Sequence, residues 1–278
     1  MSLTVLLAIL FAAFLHAGWN ALIKLGTSKL TSMLILTMVQ GGIGAAIALT
    51  RTLPQGEVWW WLLASGVFHA AYKLFLAFAY EHGDLSRVYP IARGSAPLIV
   101  LLVGGAVLSD RIKPGEYAGI IVLGAGILLM ARGVFSSGES RRLVPLALAS
   151  AMATAGYSMV DGLGARIGGD ATTFVAWLFV FDAMLFFPAS LLLRGRSVMR
   201  AAPKAWAMGS LAAVLSYGAY AIAVWAMTLA PIALVAALRE TSILFAVLIG
   251  VVLFGERMDR TKVMAAGLIA VGVILTRL

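Results

Sequence analysis

Apolar residues fill the chain in blocks of about 20, the length a helix needs to cross roughly 30 Å of hydrocarbon at about 1.5 Å per residue. Most of the Lys, Arg, Asp and Glu lie in the short breaks between blocks. Reading from break to break predicts spans near 3–23, 30–49, 58–80, 85–108 and 115–132. Further spans follow near 143–164, 171–193, 205–229, 231–254 and 261–276. These blocks must be helices, because backbone groups in hydrocarbon need partners inside their own segment. The alternation of about ten residues per strand that marks an outer-membrane barrel is absent. The opening run from Leu3 to Leu15 resembles a signal-peptide core, but it lacks a basic start and continues through Ile23, so it reads as a retained first span. The expected fold is an all-α integral membrane protein of about ten transmembrane helices.

The most polar internal link, Gly133 to Arg142, holds Ser136, Ser137, Gly138, Glu139, Ser140 and Arg141. It predicts two five-helix units, residues 1–135 and 141–278. His16-Ala17-Gly18-Trp19-Asn20 in span one meets Thr154-Ala155-Gly156-Tyr157-Ser158 in span six, with small residues and an aromatic recurring in order. At one constant offset, Arg93 meets Arg239, and Asp110-Arg111 meets Glu256-Arg257. An odd number of spans per unit makes the second enter the membrane in the opposite sense, so the expectation is a pair of inverted repeats.

Composition sharpens this picture. Of 278 residues, 62% are hydrophobic and 12% charged, against about 45–50% and about 25% in soluble domains. No separate soluble domain fits between the spans. The net charge of +9 comes largely from loop Lys and Arg, which act as topology signals and headgroup anchors and imply no nucleic-acid partner. The absence of cysteine removes disulfide frameworks and thiolate metal sites.

Ala230-Pro231, a following helix rich in small residues, Leu253-Phe254-Gly255-Glu256-Arg257 and a glycine-bearing last span ending at Leu278 together resemble the EamA type of the drug/metabolite transporter superfamily. The first half carries a degraded copy, with Ser109-Asp110-Arg111 in place of the Gly-Glu-Arg exit and Pro97 inside span four. The resemblance covers essentially the whole chain. It implies two inverted five-helix units around a central cavity, alternating access, and metabolite cargo drawn from amino acids, other metabolites and drugs. It implies a bacterial inner membrane as the setting and no organic cofactor; a homodimer is compatible with it.

Charges inside the spans mark the chemistry. Arg93 and Arg239 lie about 12 Å inside their spans at about 1.5 Å per residue, where an ionised group costs about 3 kcal/mol or more and usually faces a wet interior. Both are candidate solute ligands, the alternative being pairing with Glu240 or Asp182. Lys73, with His69 one turn earlier, adds positive or hydrogen-bonding capacity. A cationic cavity favours anionic or zwitterionic solutes, since arginine holds a carboxylate or phosphonate in bidentate fashion. Glu240 and Asp182 are the acids set deep in apolar runs and are candidates for proton coupling, the alternative for Glu240 being that it neutralises an arginine elsewhere in the bundle. Asp161, nearer its span end, reads as interfacial. His16, Trp19 and Asn20 on span one, with Tyr157 on span six, complete the expected cavity wall. Trp59, Trp60 and Trp61 read as an interfacial belt. Gly104-Gly105 and Gly115, Gly119, Gly124 and Gly126 read as sites of close helix packing.

Two rival readings are weaker. A flippase for a lipid or lipid-linked headgroup needs a lateral opening beside Arg93 and Arg239. An intramembrane enzyme needs chemistry the chain does not offer: Asp161-Gly162 with Ala165-Arg166 resembles the opening of a CDP-alcohol phosphotransferase motif, but Val175, Phe179 and Ala183 stand where that motif continues with a glycine and two aspartates. Loop Lys and Arg gather on the side of Lys24, Arg142, Arg196 and Lys262. That bias places both termini outside, whereas the resemblance implies both inside.

Overall fold

A computed structural model describes residues 1–25, 28–82, 85–108, 110–130, 142–254 and 260–277. The link 133–141, Ser109, the Gly255-Glu256-Arg257 exit and Leu278 lie outside the described residues, as do the side chains of Lys24 and Lys262. No strand occurs among the described residues.

The helices are α1 Leu3–Leu25, α2 Lys29–Ala48, α3 Val58–His82, α4 Leu85–Val107 and α5 Pro114–Met130. They continue as α6 Leu143–Gly168, α7 Ala171–Arg194, α8 Pro203–Leu229, α9 Ile232–Arg239, α10 Ser242–Phe254 and α11 Arg260–Leu275. Seven stretches are long and apolar enough to cross a membrane, and Ala92–Gly104, Pro114–Leu129 and Val263–Leu275 are shorter apolar helices.

Local chemistry sets the boundaries. Ser28 caps α2 by accepting the Thr31 N–H, and Asp170 caps α7 by accepting the Thr172 N–H at 2.9 Å and the Thr173 hydroxyl at 2.6 Å. Gly169, at φ +72°, ends α6 in the left-handed region that glycine enters without strain.

The expected continuous span 231–254 is divided. At Glu240-Thr241 the backbone tightens to i−3 bonds, Glu240 N–H to the Ala237 carbonyl at 3.0 Å and Thr241 N–H to that of Leu238 at 3.1 Å. No Gly or Pro marks this break. Upstream, Pro231 supplies no N–H to continue α8, and Arg166 takes up the freed carbonyls. Its Nε donates to Met227 O at 2.8 Å and its Nη2 to Ala230 O at 2.9 Å. Nη1 donates to Asp110 at 2.7 Å, and Asp110 in turn accepts the first N–H of α9, Ile232, at 2.8 Å. The Ala230-Pro231 motif is thus held by residues far from it in sequence.

Lipid supplies no hydrophobic drive between helices, so close approach matters. A Cβ at Gly119 on α5 would lie 2.7 Å from the Gly272 carbonyl oxygen on α11, and one at Gly272 would lie 2.8 Å from that of Gly119. Gly126 meets the Ala265 carbonyl in the same seam. Gly124 instead faces the Leu98 side chain on α4. Of the three tryptophans, Trp60 is 73% exposed as a belt residue would be, whereas Trp59 packs edge-on against Trp177 and Trp61 joins the same interior cluster.

Candidate functional site

The interior of the bundle is polar where the sequence puts charges into apolar helices, and nearly every charge finds a partner on a distant helix. Arg93 on α4 grips Glu240, its Nε donating at 3.1 Å and its Nη2 at 2.8 Å. Lys73 on α3 pairs with Asp182 on α7 and donates to the Thr37 hydroxyl at 2.7 Å. Both pairs are at most 5% exposed in the side chain. Buried ion pairs offset a desolvation cost of several kcal/mol per ion only when geometry and hydrogen bonds are good; Arg93 and Glu240 meet that condition with two bonds, whereas Asp182 Oδ1 is buried without a partner.

A third acid, Asp161, is fully buried on α6. The interfacial position expected for it is corrected: α6 continues to Gly168, so Asp161 lies two turns inside its helix. Its Oδ2 meets His69 Nε2 at 2.9 Å and accepts the Tyr220 hydroxyl.

Arg239, at the end of α9, differs from its counterpart Arg93. It is 6% exposed, and its guanidinium lies 4.9 Å from the Tyr220 ring centroid, a cation–π contact. Among the described residues no acid or carbonyl pairs with it. It faces a narrow central cavity together with His16 and Trp19 from α1, Gln40 from α2, His69 and Lys73 from α3, and Tyr157 from α6. Phe179, Ser216 and Tyr220 close the wall from α7 and α8.

The lining is aromatic and its polar atoms are underused. His69 stacks on Tyr157 at 4.2 Å between centroids and meets Tyr220 edge-on at 5.0 Å. Trp19 Nε1 donates to His16 Nδ1 at 3.1 Å, which leaves the proton of a neutral imidazole on Nε2. That Nε2 and Gln40 Oε1 are buried without partners. A buried polar atom without a partner costs about 1–3 kcal/mol, so these atoms gain most from a polar guest. The cavity offers about 20 Å³ to the centre of a water-sized sphere, room for one or two waters. A metabolite needs helices to move apart.

Of the residues expected at the site, His16, Trp19, Lys73, Tyr157 and Arg239 share this cavity. Arg93, Glu240 and Asp182 stand behind it as ion-pair members, and Asn20 donates to the His16 carbonyl of its own helix at 2.7 Å. Gln40, Tyr72, Phe179, Ser216 and Tyr220 complete the lining beyond those expectations. Gln40 carried a sequence signal, as the one amide inside an otherwise apolar and glycine-rich span. The aromatics carried none, since tyrosines and phenylalanines also fill ordinary membrane interiors.

The model of the EamA-like transporter family matches residues 3–132 and 142–278. A solved structure described as "Crystal structure of protein" superposes with a TM-score of 0.77 at 22% identity, over 99% of this chain and 98% of that one; this is likeness of fold. Comparison with individually curated proteins gives no match.

Proposed function

Because the chain belongs to the EamA-like transporter family, an integral membrane protein acting on small solutes, we propose that it carries a small anionic or zwitterionic metabolite by alternating access. An amino acid, an organic acid or a phosphonate-like compound suits the cavity. One observation carries this reading: Arg239 presents a guanidinium with no hydrogen-bond partner among the described residues to a cavity wall that also holds the unpartnered His16 Nε2. A fixed cation in a poorly solvated site costs free energy that an incoming carboxylate or phosphonate offsets through paired N–H donors. Trp19 and Tyr157 bound the guest with flat apolar surface. Lys73, Arg93 and Asn20 support the wall, the first two through their buried acids, and Asp182 and Glu240 hold those cations in place.

Residues 1–135 and 141–278 act as two inverted five-helix units in this reading. Helix contacts support it: α1 packs on α8 as α3 packs on α6, while α2 meets α7, α4 meets α9 and α5 meets α11. Exchanging the units leaves that set of contacts unchanged. Rocking of one unit against the other opens the narrow cavity to each side in turn. The bacterial inner membrane is the setting that fits this role.

The test is a thermal-shift screen of the purified protein against anionic, zwitterionic and cationic metabolites, repeated on Arg239→Ala, since a ligand stabilises the state it binds. Stabilisation by one anion or zwitterion class that vanishes in the variant is the expected result. Stabilisation by cationic compounds alone, unchanged in Arg239→Ala, would remove the reading.

A further inference from the structure

Among the described residues four acids are buried: Glu116 accepts the Lys113 N–H at the start of α5, Glu240 pairs with Arg93 and Asp182 with Lys73. Asp161 is matched by an imidazole. Its other oxygen, Oδ1, is buried without a partner, as is Oδ1 of Asp182, but no Lys or Arg pairs with Asp161 among the described residues. We propose that Asp161 and His69 form the site at which this carrier takes up and releases a proton, linked to the solute site through Tyr220.

The geometry supplies each requirement. The pair is neutral when it holds one proton, as imidazolium with carboxylate or as imidazole with carboxylic acid, and carries one negative charge when it holds none. In a site shielded from water such a change of net charge acts on every charge near it. His69 lines the cavity and stands between it and Asp161. The cavity itself has room for water. A proton therefore passes from cavity water to the pair and back to water on the other side after rocking. No other bond forms or breaks.

The surroundings single out this pair. Helix α6 packs against α3, α4, α7, α8 and α9. From α3, Lys73 is committed to Asp182 of α7, and Tyr72 meets the His69 ring edge-on. From α4, Arg93 is committed to Glu240, just beyond α9. On α6 itself Tyr157 stacks on His69, and Arg166 is held by Asp110. Tyr217 of α8 packs on Phe179 with its hydroxyl unpartnered. Among the described residues, His69 and Tyr220 are the hydrogen-bond partners of the Asp161 carboxyl.

Tyr220 is the link. Its hydroxyl donates to Asp161 while its ring carries the Arg239 guanidinium. With the pair deprotonated, the negative charge on Asp161 balances Arg239 across the ring. With the pair protonated, that balance is lost and Arg239 draws an anionic guest. Proton and anion therefore bind together. This coupling rests on the solute reading above, whereas the proton site does not.

The test is acid-minus-base difference infrared spectroscopy of the full chain in lipid nanodiscs, with the proton as the only ligand. A protonation signal in the carboxyl or imidazole region is expected that is lost or reshaped in Asp161→Asn and in His69→Gln. Tyr220→Phe, which removes the donor to Asp161 and keeps the ring under Arg239, is expected to displace its frequency. A wild-type spectrum without such a signal, or one that the variants reproduce unchanged, overturns the proposal. Should Asp161→Asn not fold, Tyr220→Phe decides alone: a displaced signal supports the site and an unmoved one overturns it. A metabolite screen without an anionic or zwitterionic binder would remove the solute reading and leave this result standing.

Discussion

Arg93 and Glu240 meet side-on, two guanidinium nitrogens against two carboxylate oxygens at 3.1 and 2.8 Å, and so tie α4 to the break between α9 and α10. The carboxylate projects from the turn where the backbone changes to i−3 bonding. That turn is also what places Arg239, one residue earlier, on the cavity wall.

Removing one member of this pair leaves the other charge buried alone. Glu240→Gln is expected to destabilise the protein by about 3–5 kcal/mol, and the double variant Arg93→Met with Glu240→Gln by less than the sum of the singles. Denaturation in mixed micelles, run as a double-mutant cycle, measures this; additive losses would show that the pair is not coupled.

Gly119→Ala brings a methyl group against the Gly272 carbonyl oxygen, a backbone atom that cannot turn aside. A loss of about 1–3 kcal/mol is expected, as for overpacked interiors. Gly42→Ala, with nothing within 4 Å of the added carbon, should be neutral or gain up to about 1 kcal/mol from helix propensity. Equal effects at the two glycines would refute the close-packed seam.

Partial burial pushes the Asp170 carboxyl up, but bonds from the Thr173 hydroxyl and the Thr172 and Thr173 N–H groups, with Arg51 nearby, outweigh it and hold the group below its ordinary value. A lowered carboxylate adds stability above the ordinary carboxylate range and loses it as pH falls through the folded-state value. Asp170→Ala should cost about 0.5–1 kcal/mol near neutrality, the lower part of the range for helix caps, because the side chain is 43% exposed. The gap to wild type should narrow in acid; thermal unfolding at several pH values reads it directly.

Arg239→Lys keeps the charge and loses the planar fork and its stacking on Tyr220. Binding of the anionic or zwitterionic class found in the screen should weaken about tenfold to a hundredfold, the loss expected for one charge-assisted hydrogen bond. Titration calorimetry on the two proteins gives the ratio. Unchanged affinity would mean that the guest does not use the guanidinium.

The helices were legible because lipid imposes one length and one polarity on each of them. Arg93 and Arg239 were legible as special for the same reason, since charge in an apolar run must have a purpose. Their different fates were not: the same residue at equivalent positions is an ion-pair member in one helix and a cavity cation in the other. That difference depends on Glu240 turning toward α4 at a break that no Gly or Pro announces. The burial of Asp161 was hidden because α6 runs further than its apolar block suggests, and Tyr220 gave no signal because its role comes from two contacts with other helices.

Among the described residues the four pairs Arg93–Glu240, Lys73–Asp182, His69–Asp161 and Asp110–Arg166 each join a residue of the first matched segment to one of the second. The chain is made from one end, so Lys73, Arg93 and His69 leave the ribosome 92 to 147 residues before their acids. At about 5–20 residues per second that is a wait of roughly 5–30 s. During biogenesis the early helices must hold unmatched cations beside the insertion machinery or at the headgroups. Closure of the bundle is then timed by translation of the later half, and a nascent chain arrested after residue 132 would hold Lys73 and Arg93 without their acids and Asp110 without its arginine.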